Sequence, residues 1–209
     1  MSGKPWDQRL AAFLVRPLAR TAVHPNHITA LGLLLGLASA SAYASGASAL
    51  ANLGGALFML AMLTDHADGE LARASGKTSR FGHAFDRIVA GVNHTVIFIG
   101  IGIGQVQGFL GSFSAILGLI AGLSIASTFA VRAGLERRAG AGAIAQPSLG
   151  GFEVEDVMYL LGPITWLGLQ SVLLLAAAIG APAFLAASLM VSRRVKGADS
   201  ATGRHELRG

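Results

Sequence analysis

The chain contains no cysteine, which excludes disulfides, thiolate metal centres and thiol nucleophiles and leaves its redox compartment open. Charge is also scarce: Asp, Glu, Lys and Arg make up 13% of the 209 residues, about half the share of an ordinary soluble domain. With only six prolines, long uninterrupted helices are permitted. The N-terminal stretch has no apolar core followed by a small-residue cleavage site, so it does not read as a signal peptide. The chain is basic, with a pI near 10.4, but no soluble basic module stands apart from the apolar runs, which argues against nucleic acid as a partner.

What is present is apolar. Hydrophobic residues make up 53% and the mean hydropathy is +0.59, so the fold class is an all-α integral membrane protein. A crossing helix needs roughly 20 apolar residues, and six stretches are expected to supply one: 28–47, 49–72, 81–104, 109–132, 155–175 and 177–195. No polar block separates them, so residues 1–209 read as one membrane domain, with a six-transmembrane-helix bundle over 28–195 and a cytoplasmic tail over 196–209. Within 1–25, Trp6, Leu10, Phe13 and Leu14 recur at helical spacing with Arg9 and Arg16 off that stripe. This predicts an N-terminal amphipathic interfacial helix lying on the bilayer surface; the alternative is the first turns of a core helix.

Basic residues set the sidedness. They precede the first span, surround the turn between the second and third, and follow the fourth and sixth, and this accounts for all sixteen Lys and Arg. The positive-inside rule then puts both termini and that turn in the cytoplasm, as in a bacterial inner membrane, with the surplus charge facing anionic headgroups. Glycine is frequent, 28 residues, and small residues let lipid-embedded helices approach closely.

The remaining charge is concentrated in "DHADGELARASGKTSRFGHAFDRIVA", Asp65 to Ala90. Asp65 and Asp68, three apart, share a helical face. Ser75 to Ser79 reads as a turn, which brings Asp86 back towards them. A carboxylate at membrane depth costs about 2.5–3.5 kcal/mol on insertion scales, so three on facing helices call for a neutralising partner. Oxygen-only ligation favours Mg²⁺ or Mn²⁺, ions that commonly hold substrate phosphates. Gly69, Ala72 and Gly82 would let a phosphate or nucleotide reach the backbone, and Arg73 would offer a cationic fork. The competing reading is a set of interfacial charges paired with Arg73, Arg80 and Arg87. Interfacial exposure is the simple expectation for His66 and His83.

The pattern Asp65-x-x-Asp68-Gly69-x-x-Ala72-Arg73, eight residues, then Gly82-x-x-x-Asp86 resembles the signature of the CDP-alcohol phosphotransferases (CDP-alcohol phosphatidyltransferases). "HPNHIT", with Asn26 and Thr29 at the mouth of the first span, is similar to the Pro-Asn-x-x-Thr element often found there. The resemblance implies a phospholipid-making enzyme in which an acceptor hydroxyl attacks the β-phosphorus of a CDP-linked donor, usually CDP-diacylglycerol, and CMP leaves. It implies that Asp65, Asp68 and Asp86 hold divalent metal, two ions in an active form. It further implies that Gly69, Ala72, Arg73 and Gly82 frame the nucleotide beside Asn26 and Thr29, and that the protein is a homodimer.

One position departs from that pattern. The family's last aspartate, a metal ligand and the acceptor's base, falls on Ala90, and a methyl group does neither task. Three readings follow: an engineered loss of the base, a substitute base in His94 one turn on, or a homologue that binds nucleotide lipid without turnover. Losing a general base costs about 10²–10⁴ in rate and losing a metal ligand as well lowers it further, so the chain is expected to bind donor nucleotide and turn over poorly.

For the acceptor, the sequence offers Arg132, Arg137 and Arg138 after the fourth span, suited to a phosphate-bearing alcohol, and Glu155 and Asp156 at the mouth of the fifth. Glu153 better fits a favourable charge at a helix N-terminus. An aspartate-rich prenyltransferase would show two separated Asp motifs, and a transporter would carry ionisable groups near midplane in several helices.

Overall fold

In the computed structural model, which describes residues 6–140 and 154–206, helices account for the regular structure and no strand occurs among the described residues. The side chains of 139, 154–156 and 196–206 are not described. The first helix, α1, is Trp6–Val15, and a short 3₁₀ turn, Leu18–Arg20, leads to α2, Pro25–Ala44. Then follow α3, Ser48–Ser75, α4, Arg80–Gly104, and α5, Phe113–Ala139. A 3₁₀ helix, Val154–Leu160, continues into α6, Leu161–Trp166, before α7, Gln170–Glu206.

Local chemistry sets the ends that matter. Pro25 sits at the start of α2, where its missing N–H costs nothing, and the preceding His24 caps the helix by accepting from the Asn26 N–H at 3.3 Å. Gly76, in the left-handed region at φ 68°, stops α3, as glycine can without strain. Three residues later Ser79 caps α4, its Oγ accepting from the Gly82 N–H at 2.9 Å. The expected turn between the second and third spans is therefore four residues long, Gly76 to Ser79.

Helix α2 is the centre of the bundle. It packs on both α3 and α4, which touch each other little; α4 packs on α5, α5 on α7, α1 on α3, and α6 on α3. Tyr43, Phe58, Met62, Ile97, Ile101, Leu161 and Leu174 form the main core, while Ala11 and Val15 of α1 close over Ala67 and Leu71 of α3. Absent side chains permit this closeness: a Cβ on Gly36 would fall 2.0 Å from Asn93 Oδ1, and one on Gly104 would fall 1.9 Å from the Tyr43 carbonyl oxygen. Elsewhere large apolar side chains face outward on every long helix, such as Leu34, Leu60, Ile103, Ile120 and Ile179, which suits a lipid surround.

Five helices among the described residues are long and apolar enough to cross a membrane, the last of them Gln170–Val195. The expected fifth span, 155–175, is redrawn as the 3₁₀ helix and α6, and the expected sixth, 177–195, begins earlier, at Gln170. The cause is local, because Gly168 takes φ 72° and breaks the run between Trp166 and Gln170. The short segment still packs along the first half of α3. Tyr159 meets the Trp6 ring at 5.2 Å, a Cβ on Gly55 would lie 3.0 Å from Gly162 Cα, and Trp166 Nε1 donates to the Asn52 carbonyl at 3.1 Å. Residues 154–166 thus lie antiparallel to α3, with a rise of about 23 Å from 3₁₀ and α geometry. Helix α7 then starts at the far end, where Ser171 Oγ donates to Gln105 Oε1 at 2.8 Å, and returns.

Helix α1 shows two faces. Asp7, Ala11 and Val15 are buried, whereas Trp6, Leu10, Phe13 and Leu14 are exposed, Phe13 by 74%. The stripe read from the sequence is thus the outward one.

Candidate active site

The N-terminus of α2, the C-terminal third of α3 and the first turns of α4 meet at one end of the bundle. Between them lies a cavity of about 370 Å³ lined by Asn26 and Thr29 of α2, Asp68, Gly69, Ala72 and Arg73 of α3, the Lys77–Ser79 turn, and Gly82, His83 and Asp86 of α4. All the residues expected to frame a nucleotide line this space. Helical spacing puts the α3 set on one face, and the caps at Gly76 and Ser79 fold α4 back across it.

Asp68 is 4% exposed, and Thr29 Oγ1 donates to its Oδ2 at 2.5 Å. This bond carries the α2 mouth onto the carboxylate helix. Gly82 closes the other side: a Cβ there would stand 3.1 Å from both Asn26 Oδ1 and Ser79 Oγ, so α2 and α4 approach through that position. Gly69 lies under the Arg73 guanidinium, whose nitrogens come within 3.5 Å of where its Cβ would be.

Asp65 and Asp86, on facing helices, lie within hydrogen-bonding reach of each other, and Asp86 is near enough to Asp68 for their charges to interact. Carboxylates so placed require a cation or proton among them. Among the described residues no three acidic or imidazole side chains converge as a finished metal cage. The donor set itself is oxygen-only, from two helices already in contact at Asp65 and Asp86, and this chemistry fits a hard divalent ion.

Two of the three arginines of the competing reading, Arg73 and Arg87, make their ion pairs with glutamates rather than with the aspartates. Arg73 Nη2 donates to Glu70 Oε1 at 2.9 Å. Arg87 donates to Glu136 of α5, whose other oxygen lies 3.2 Å from His83 Nε2. Arg73 keeps 60% of its side chain exposed at the cavity, so Glu70 orients it without covering it. Sequence reading missed three contacts here. Glu70 is one. Lys77 Nζ is the second, donating to the Thr21 and Val23 carbonyls at 3.0 and 3.1 Å and so pinning the strap before α2. The third is Asp7, fully buried, with its Oδ2 2.7 Å from His66 Nε2. His66, 18% exposed, docks α1 rather than standing in solvent, whereas His83 keeps 61% of its side chain exposed, as expected of an interfacial histidine, while its ring meets Glu136 of α5. The (i, i+3) spacing of Glu70 and Arg73 is a signal that spacing rules would have found; the other two contacts are long-range.

Ala90 does not line the main cavity. It borders a smaller one, about 40 Å³, with Asp65, His66, Asn93 and His94. His94 Nδ1 lies 2.8 Å from the Ala90 carbonyl oxygen, and its ring is held between Phe58 and Phe129 at 5.7 and 5.6 Å. Of the acceptor residues, Arg132, Arg137 and Arg138 occupy the last turns of α5 and do not line the main cavity. The Arg132 guanidinium stands 6.0 Å over the Phe184 ring of α7. Glu155 and Asp156 fall in the 3₁₀ helix, but their side chains, and Glu153 altogether, lie outside the described residues.

The family described as CDP-alcohol phosphatidyltransferase matches residues 22–192, from just before α2 to well within α7. No curated protein matches the chain.

Proposed function

The chain belongs to the CDP-alcohol phosphatidyltransferase family, and from that premise we propose that it binds CDP-diacylglycerol and an alcohol at the cytoplasmic end of its bundle, to exchange CMP for the alcohol. The observation that supports this most is the single cavity at which Asn26, Thr29, Asp68, Gly69, Ala72, Arg73, Gly82 and Asp86 meet. Its backbone glycines accept a close phosphate, its arginine is placed for anionic oxygens, and its carboxylates suit a metal.

In the reaction the acceptor oxygen forms a bond to the β-phosphorus, the bond from that phosphorus to the CMP oxygen breaks, and CMP departs with the electron pair. The acceptor's proton must go to a base. Asp65, Asp68 and Asp86 would hold divalent metal, Mg²⁺ or Mn²⁺, which when bound neutralises charge on the pyrophosphate and improves CMP as a leaving group. Thr29 fixes the orientation of Asp68, Glu70 aims Arg73 at the phosphates, and Ser79 with Gly82 shapes the wall beside the nucleotide. Of the three arginines read for an acceptor phosphate, Arg132, Arg137 and Arg138, Arg137 lines a groove between α4 and α5, so Arg132 and Arg138 carry that proposal, with Glu155 and Asp156 at the entrance of the short crossing segment.

Placing all the basic clusters in the cytoplasm sets the orientation. Six passages then return both termini to one side if residues 154–166 count as a shortened crossing. Exposed Leu10, Phe13 and Leu14 of α1 would lie in the lipid interface.

Ala90 limits turnover, because no carboxylate stands where the family's base does. A second reading has a specific observation in its favour: His94 borders the same small cavity as Ala90 and Asp65. If its Nδ1–H donates to the Ala90 carbonyl, Nε2 carries the lone pair needed to take a proton. One experiment separates these. Mg²⁺-dependent CMP release from CDP-diacylglycerol is measured with a panel of alcohols for the chain and for Ala90→Asp. We expect the variant to be faster by about 10²–10⁴, the usual worth of a general base. Equal rates, abolished together by His94→Ala, would establish the histidine instead. No CMP from either form, with no thermal protection by CDP or CMP, would overturn the proposed reaction.

A further inference from the structure

A second sizeable cavity lies away from the carboxylates. About 440 Å³ lies on the outer side of α4, against α5. Its α4 wall includes the stripe Arg87, Gly91 and Thr95, roughly a third of a helical turn around from Asp86 and Ala90 at 100° per residue. Its α5 wall is built by Ala126, Ala130 and Arg137. Small residues hollow both helices, so the surface is a groove rather than a ridge.

Two properties identify an occupant. The walls are apolar apart from Thr95 and two guanidinium groups, and both arginines belong to the end that carries the protein's basic clusters. From Arg87 to Val96 the groove follows α4 for about 13 Å at 1.5 Å per residue, close to one leaflet of a hydrocarbon core about 30 Å thick. We infer that this groove holds one acyl chain of a cytoplasmic-leaflet phospholipid whose anionic headgroup is met by Arg87 and Arg137.

Charge complementarity favours a lipid over a second copy of the chain. Among the described side chains the acidic groups are Asp7, buried against His66; Asp68 and Asp86 at the main cavity and Asp65 at the smaller one beside it; Glu70, buried on Arg73; and Glu136, already on Arg87 and His83. None of these is available to a neighbouring copy's arginines. A phosphodiester at the headgroup level supplies a negative charge for Arg137 and a second one for Arg87, which already holds Glu136. Arg137 is exposed and has no ion-pair partner among the described residues, and Arg87 lies one residue from Asp86, so the bound lipid would stand directly behind the helix that carries the site. The inference is independent of which headgroup that site transfers.

The test uses the full chain purified in detergent and mixed with equal amounts of dioleoyl phosphatidylglycerol and dioleoyl phosphatidylcholine, with retained lipid counted by native mass spectrometry. One phosphatidylglycerol per chain is expected, preferred by on the order of tenfold, the scale of one or two basic side chains at an anionic headgroup. Ala130→Phe and Ala126→Phe, each of which puts a ring in the groove, should each lower retention about tenfold. Leu119→Phe, on an exposed position of α5, should leave it unchanged. Arg137→Gln should erase the preference and keep phosphatidylcholine binding. If Ala130→Phe melts before it can be assayed, Ala126→Phe and Arg137→Gln decide. Equal retention of the two lipids by the unaltered chain overturns the inference, as does lipid that survives both phenylalanine variants. A two-chain species that either phenylalanine splits, without any lipid held, overturns it in favour of a second copy.

Discussion

The two ends of this bundle solve the problem of polar groups among apolar helices in opposite ways. At the end away from the carboxylates, neutral groups satisfy one another: Tyr43 Oη lies 2.6 Å from Thr165 Oγ1, Ser39 Oγ donates to the Gly54 carbonyl at 2.6 Å, and Gln170 Nε2 donates to the Thr165 carbonyl at 3.3 Å. The cavity there, about 270 Å³, is lined by Tyr43, Asn52, Gln105 and Gln170 and contains no charged side chain. At the other end like charges are crowded, with Asp65 against Asp86 and Asp68 within reach of both helices' charge. The first arrangement holds helices together. The second is unfavourable until something cationic arrives, which is what a binding site needs and a structural contact avoids.

Changes at the two ends should therefore separate activity from stability. The largest effect on activity is expected from Asp68→Asn in the Ala90→Asp background. Asn is nearly isosteric and still accepts from the Thr29 hydroxyl, so packing is preserved while a charge is removed. CMP release should fall roughly 10²–10³-fold, the scale of losing one group that stabilises charge in a transition state, and protection by Mg²⁺ with CDP should vanish. The melting temperature without ligand should stay level or rise, because a buried carboxylate is removed. A fall in ligand-free stability with activity kept would reverse the assignment of the two ends.

Gly104→Ala probes the other end. Its Cβ would meet the Tyr43 carbonyl oxygen at 1.9 Å, and because that atom is backbone, α2 and α4 must separate to admit it. Overpacking of this kind costs about 1–3 kcal/mol. Thermal unfolding in detergent should show the loss, while the protein that remains folded keeps its KM for the CDP-linked donor, since the site lies at the opposite end of both helices. A changed KM would mean that the ends are mechanically coupled through α2.

That the candidate site's residues gather in one place was legible because their grouping is local. Asp65, Asp68, Gly69, Ala72 and Arg73 share a helix, and two turn signals, Gly76 and Ser79, dictate how the next helix returns. Periodicity and capping rules act over such distances. What escaped was non-local or depended on backbone geometry. Nothing in the spacing of Asp7 and His66, 59 positions apart by their numbers, announces a buried pair. Hydropathy presented 155–175 as a span, yet the left-handed Gly168 splits it and its first half winds as a 3₁₀ helix. Average hydropathy reports how apolar a stretch is, and it does not distinguish one helix from two short ones.

The smallest effect expected is also the one that best resolves how the neutral end works. Thr165 Oγ1 donates to the Leu161 carbonyl at 2.7 Å, so in the pair with Tyr43 it is the tyrosine that donates and the threonine that accepts. Tyr43→Phe therefore deletes a donor and leaves the threonine hydroxyl still bonded, which should cost roughly 0.5–1.5 kcal/mol, the net worth of an ordinary hydrogen bond. Thr165→Val deletes the acceptor and strands a phenol that is buried, Tyr43 being 3% exposed. Leaving such a donor unpaired costs about 1–3 kcal/mol, so the threonine change should be the more damaging although it removes fewer atoms. The double variant should be no worse than Thr165→Val alone, because with both hydroxyls gone no donor is left stranded. Neither single change should alter protection by CDP. If Tyr43→Phe proves the costlier of the two, the hydroxyl proton runs the other way and a further acceptor serves the tyrosine.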